Sequence, residues 1–497
     1  MGILRLIGIG LCWGTLLAIV GVAVGGFVVY SRINNEVQKY VLAQLQERYP
    51  DLDIQVGSAQ IVENKGFVIR DIEFSVPNAS GLPLKLLRVG ELFIECPVTL
   101  QTLYQKNLRI NRVAVKDPIL RASRSADGTF SELQLLVGDT ADSLFLFPDG
   151  GNPISMEIEN GNLLYDDAQQ SVQPLRLSGI NITITPERQD HIPRLLVKGS
   201  TDGDFFRRFT FEAEVLPETM QWKFVANCRQ FDWSDDLWQY LPPNPYIQER
   251  PLFQGRFDFN VSAVSDPVAD WGCRFAIGGT LMHGRLDLPN INRTLTELST
   301  RFEVTGDRIV IDKLTGNGDG AQFAADYVQD GLTFFGDKQQ RAELTINVRN
   351  LHFDDQLVES LSPFLNDAIE ALLAKFDYEG TTDLHAQLSC RNGAWHPKNV
   401  EMHISEVGFA YWEFPYRLDR LTGNLLIDET DALHFRFTTK QDAALKAVIE
   451  GYYSNMFVDP AGKVEIVGED VPIDQKLIRS LPSAVQQIEL VEPNGQT

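Results

Sequence analysis

The chain has 497 residues, 44% of them hydrophobic and 22% charged, enough apolar matter for several packed units and too much for a disordered protein. Its formal net charge of −23 sets it against nucleic-acid phosphates and anionic lipid headgroups, so neither is expected as a surface partner. Five scattered cysteines without a C-x-x-C pair argue against a thiolate metal site, a redox motif or a disulfide framework.

From Leu6 to Tyr30 no residue is charged, and Arg5 and Arg32 bracket the run. That exceeds the roughly 20 residues needed to cross a bilayer and is too long for the apolar part of a cleaved signal peptide. Residues 1–32 are therefore expected to be a retained transmembrane anchor. Gly10/Gly14 and Gly21/Gly25 have the spacing that lets helices approach closely, or are simply tolerated in a lone lipid-facing helix. The flanking charges are too few to fix orientation. The large size of the chain beyond the anchor places that region across the membrane.

Beyond the anchor, residues 34–49 put Val37, Tyr40, Val41 and Leu45 at helical spacing until Pro50 stops the run, which predicts a short amphipathic helix at the membrane face. The period then changes from 3.6 to 2. Phe209, Phe211, Ala213 and Val215 alternate with polar residues, as do Phe257, Phe259, Val261 and Ala263, and Ala342, Leu344, Ile346 and Val348. Such alternation predicts antiparallel strands with one covered face. Asp127-Gly128, Asn160-Gly161, Asp202-Gly203, Gly306-Asp307 and Asn392-Gly393 read as the turns between them, and Gly316 to Gly320 as another. An Asp-, Gly- and Pro-rich stretch, residues 138–153, reads as a linker between a first β region (33–137) and a second (154–230).

The strongest organisational signal is a repeat. Phe231-Asp-Trp233 followed by Leu237 and Leu241 matches Leu351-His-Phe353 followed by Leu357 and Leu361, and Val471-Pro-Ile473 followed by Leu477 and Leu481, each copy 120 positions from the last. In every copy a strand ends, polar residues supply an N-cap, and leucines four apart open a helix. This divides the remainder into a unit at 231–350, a unit at 351–470 and the start of a third at 471–497. Units of several strands and one short helix stack into a quasi-one-dimensional array.

These motifs resemble the AsmA-like family of bacterial envelope proteins, related to the repeating β-groove lipid-transfer proteins. The resemblance rests on the N-terminal span with its short helix, on Arg109 to Ala122 with Asp117-Pro118 between two strands, on Asp127-Gly128-Thr-Phe130, and on Met156 to Asp166, read as a hairpin about Asn160-Gly161. It implies a mainly β fold: a transmembrane helix followed by an elongated, twisted antiparallel β-groove, a U-shaped sheet with short helical elements about every 120 residues. It also implies an inner-membrane protein with its bulk in the periplasm, phospholipids as partners and a role in outer-membrane biogenesis. The family supplies no catalytic residue, and this chain stops soon after the third helix signal.

Alternation leaves open what covers the apolar face: a second sheet in a sandwich, or acyl chains in a groove. The groove reading names Ile72, Phe74, Val76, Phe209, Phe211, Phe257, Phe259, Val261, Leu344, Ile346, Val348, Phe435 and Phe437 as lining. No cofactor, metal or enzyme activity is expected. The seven histidines lack H-x-x-x-H spacing, no G-x-S-x-G elbow occurs, and the carboxylates at Asp235-Asp236 and Asp354-Asp355 sit where helix caps are needed. An anchored scaffold for envelope proteins is the alternative of another class.

Overall fold

The computed structural model describes residues 34–480 except 63–64, 77–83, 97–109, 125–152, 168–173, 190–191, 235, 238–251, 270–271, 289–292, 332–340, 355–356, 358–375, 392–393, 413, 441–445, 456–460, 470 and 472–474. The expected span at 6–30, nearly all of the linker at 138–153, and the turns at Asp127-Gly128 and Asn392-Gly393 lie outside the described residues. No helix among the described residues is long and apolar enough to cross a membrane. The described chain is mainly β, with 22 strands in almost entirely antiparallel sheet. It clusters into two compact units, residues 1–232 with 236–243 and 258–276, and residues 233–235 with 244–257 and 277–497.

In the first unit helix α1 (Asn34–Arg48) forms where the spacing predicts it. Val41 and Leu45, one turn apart, are buried, and the Tyr49 N–H closes the last turn on the Leu45 carbonyl at 2.9 Å. The Tyr49 ring meets Phe74 edge-on at 6.0 Å, and Gln38 Nε2 donates to the Val56 and Gly57 carbonyls, so the helix lies on the start of the sheet. Strands β1 (Asp53–Val62), β2 (Gly66–Val76) and β3 (Leu84–Glu95) pair in succession. Next come β4 (Arg112–Lys116) and β5 (Ile119–Arg124), two pieces of one line interrupted at Asp117-Pro118. Both pair antiparallel with β3 and parallel with β6 (Ser155–Asp167). The parallel pairs depart from the all-antiparallel expectation. A tight hairpin cannot join parallel neighbours, and 30 residues separate Arg124 from Ser155. Then β7 (Leu175–Gln189), β8 (Ile192–Gly203), β9 (Phe206–Leu216) and β10 (Gln221–Trp233) follow as antiparallel neighbours. Beside β10 runs β11 (Leu252–Ser265), whose Ser265 Oγ accepts the Trp222 N–H.

The second unit holds most of β12 (Cys273–Leu288) and then β13 (Arg293–Thr305), β14 (Arg308–Gly318), β15 (Ala321–Asp330), β16 (Arg341–Phe353), β17 (Phe376–Arg391), β18 (Ala394–Tyr411), β19 (Phe414–Ile427), β20 (Leu433–Thr439), β21 (Lys446–Ser454) and β22 (Ala461–Glu469). From β13 onward each strand pairs antiparallel with the next. The third repeat signature opens a helix as expected, while at the second only the capped start is among the described residues. Asp354 Oδ1 accepts the Leu357 N–H at 2.8 Å, an N-cap, and helix α2 (Gln475–Ser480) sets Leu477 against the buried cluster of this unit.

Sequence periodicity gave no sign of a series of bulges inside the strands. Asn160, Gln230, Lys313 and Asn350 take φ between 51° and 56°, the left-handed region that non-glycine residues avoid. A bulge inserts one residue, bends the strand and leaves a backbone group without a ladder partner. Here a side chain of the next strand supplies that partner. Asn181 Oδ1 accepts the Asn160 N–H at 3.0 Å, Asp258 that of Gln230 at 2.6 Å, Asp326 that of Lys313 at 2.8 Å and Asp383 that of Asn350 at 2.9 Å. On the other face Thr201 and Thr382 donate their hydroxyls to the Ser178 and His403 carbonyls. The Asn160-Gly161 pair, expected as a turn, is one of these bulges. Asn tolerates the left-handed conformation equally well in a turn or a bulge, so β6 runs through it unbroken. Likewise Gly316 and Gly318 belong to β14, and only Asp319 and Gly320 form the turn.

Candidate functional site: a sheet face without a core

Each unit buries only part of its apolar face. In the first, one cluster runs from Val41 on α1 through Ile94, Val113 and Met156 to Ile180 on β7. In the second, another gathers Tyr378, Phe409, Leu421, Phe437 and Ile449. Beyond its cluster each unit keeps an apolar face on its remaining strands, yet no core cluster forms over it among the described residues. Leu195, Val197, Phe211, Val215, Trp222 and Phe224 are half-buried on β8 to β10 of the first unit. So are Phe302, Phe323 and Leu344 on β13 to β16 of the second. A sandwich interior would bury such side chains almost completely.

The named lining residues divide along this boundary. Ile72 and Phe74 are 3% exposed, and Phe435 and Phe437 are 8% and 7%, so these four belong to the clusters, with Val76 packed against the first. Phe209 and Phe211 lie on the half-buried face of the first unit, as do Phe259 and Val261 on β11. Phe257, Leu344, Ile346 and Val348 lie on that of the second. Aromatic rings line both stretches. Phe206, Phe209, Phe211 and Phe224 form a run with centroids about 6 Å apart, at 6.1, 6.1 and 6.2 Å, and Phe257 meets Phe302 at 5.8 Å.

Several rings do not stand up from the sheet. The tip of Phe211 lies so close over Gly199, its register partner, that a Cβ there would meet ring carbons at 2.4 Å; Phe323 covers Gly316 in the same way, at 2.7 Å. Ala226 and Cys228, also opposite Phe211 and Phe209, are 0% and 3% exposed. Glycine thus lets an aromatic ring lie flat across the neighbouring strand, which smooths the wall and leaves the space above it unfilled. Burial, with the nearby Asp258 carboxylate adding to it, pushes the Cys228 thiol up to about 11, so it remains a neutral apolar contact.

The opposite face is polar. In the second unit it forms an open trough of about 970 Å³ where His385 Nδ1 meets Asn347 Oδ1 at 2.7 Å and His403 Nδ1 meets Asn424 Oδ1 at 2.6 Å. Among the described residues no group of three or more His, Cys, Asp or Glu could hold a metal ion. Trp222, Phe224, Phe302, Phe323 and the glycines were not named from sequence. Recognising a glycine opposite a phenylalanine requires the strand register, which alternation alone does not supply. No protein-family model matches the chain, and searches of curated proteins and of solved structures return no match.

Proposed function

We propose that this is an AsmA-like protein, anchored in the bacterial inner membrane with its bulk in the periplasm, that binds phospholipid acyl chains along an apolar β-groove. It acts without catalysis, in lipid transport or outer-membrane biogenesis. One observation carries the reading: in each unit an apolar, aromatic-lined sheet face continues past the end of the buried cluster. An exposed apolar surface of this extent costs free energy unless something apolar covers it. Acyl chains fit, since each CH₂ kept from water contributes about 0.8 kcal/mol and equivalent contacts let a chain slide without fixed hydrogen-bond geometry. Flat rings over glycines leave room for that movement.

The test uses the full chain, purified in mild detergent, with bound lipids identified by native mass spectrometry. Phospholipid should co-purify with the wild type, and Phe257→Glu combined with Ile346→Glu should remove it while the circular dichroism of the sheet is retained. A wild-type chain that emerges free of lipid refutes the groove and favours the scaffold reading. Loss of the fold in the double variant would identify the face as an ordinary core.

A further inference from the structure

On one rim of the first unit, apolar side chains stand exposed at or beside three successive hairpin ends. Strand pairing places the start of β8 beside the end of β9, and the start of β10 beside the end of β11: Leu195 is opposite Val215, and Ser265 accepts the Trp222 N–H. At these positions Ile192 is 47% exposed, Met220 76% and Val268 92%. Single exposed apolar side chains are ordinary. One at or beside each of three neighbouring hairpin ends is not, and the local chemistry sharpens the point. Met220 holds φ at 54°, where a hairpin would favour glycine or asparagine. Val268 is presented by a built turn: Asp266 Oδ1 accepts its N–H at 3.0 Å, and Arg274 Nε holds the other carboxylate oxygen at 2.9 Å. In the second unit the tips at Gly306-Asp307 and Asp428–Asp431 are polar, while Trp412 stands exposed in the β18–β19 turn and Trp395 beside the β17–β18 connection, apolar hairpin ends that are not gathered on consecutive tips of one rim.

We infer that this rim rests on a neutral bilayer surface, with Ile192, Met220 and Val268 as shallow insertion points. Hairpin tips two strands apart are separated by about 10 Å, so the three side chains are isolated points and not a continuous patch. A protein partner would need contiguous, complementary surface of about 800 Å² on each side. A fluid bilayer accepts separated points, each inserted side chain adding about tenfold to partitioning. The chain's net charge of −23 selects zwitterionic over anionic headgroups. This proposal does not require the groove to carry lipid.

The experiment uses the full chain in nanodiscs, with an environment-sensitive fluorophore on Val268→Cys in a background whose native accessible cysteines are replaced. Phosphatidylcholine vesicles are then added. The fluorophore should report an apolar surrounding, and vesicle co-flotation should fall about a hundredfold or more in the triple variant Ile192→Ser, Met220→Ser, Val268→Ser. Vesicles rich in phosphatidylglycerol should bind more weakly. A probe that stays in water with both nanodisc and vesicles, or unchanged co-flotation of the triple variant, overturns the inference. So does a probe response that follows protein concentration instead of lipid, which would make the rim a contact between copies. Native mass spectrometry separates the two proposals: a triple variant that keeps lipid in the groove but loses docking supports both, and a wild-type chain that docks with an empty groove leaves only the rim.

Discussion

Asp258 shows how a single carboxylate can hold a bent strand. Its Oδ1 takes the Gln230 amide that the bulge removes from the ladder, and a half-buried amide without an acceptor costs free energy. Asp258→Ala should lower stability by about 1 kcal/mol in urea titration, and Asp258→Asn should retain most of it, because the amide oxygen of Asn181 does the same for Asn160. Equal losses in both variants would assign the effect to charge. Little of this was legible in the sequence. Asn160-Gly161 announced a left-handed residue but not whether a turn or a bulge would use it, and Gln230 and Lys313 announce nothing, since their conformation is imposed by pairing on either side.

Strands were far easier to read than their joints. The alternating runs at 208–215, 257–263 and 342–348 all lie inside observed strands, because a one-sided face repeats every two residues whatever covers it. What periodicity could not separate was covered from uncovered face: Phe437 and Phe211 occupy the same kind of position, one inside a cluster and one outside. Substituting the glycines beneath the rings distinguishes the two environments. At Gly423 a Cβ would meet the Arg436 carbonyl oxygen at 2.0 Å, backbone that cannot withdraw, so Gly423→Ala should cost about 1 to 3 kcal/mol. At Gly199 the severe obstacle is the far end of the half-buried Phe211 ring, a side chain that can tilt aside, with the Asn181 carbonyl oxygen less tight at 3.2 Å. Gly199→Ala should cost less than about 1 kcal/mol in thermal unfolding yet reduce the lipid recovered with the protein.

Across the whole molecule, two separate clusters imply two separable stabilities. Ile94 is 0% and Leu421 1% exposed, each deep in its own cluster, and truncation to Ala should cost about 2 to 4 kcal/mol in either place. Calorimetry should show Ile94→Ala lowering one transition and Leu421→Ala the other; a single transition lowered equally by both would contradict the division. The bulge contacts add a constraint on how such a chain can vary. At these four bulges the donors lie on β6, β10, β14 and β16, and each acceptor on the strand that follows, so each of these contacts is complete within a pair of consecutive strands. Deleting or duplicating a donor strand with its acceptor leaves the remaining joints matched and the direction of the chain unchanged. Losing one strand would strand an amide and reverse everything downstream. At these four joints, then, a change of length by two strands is the step that keeps every such amide matched.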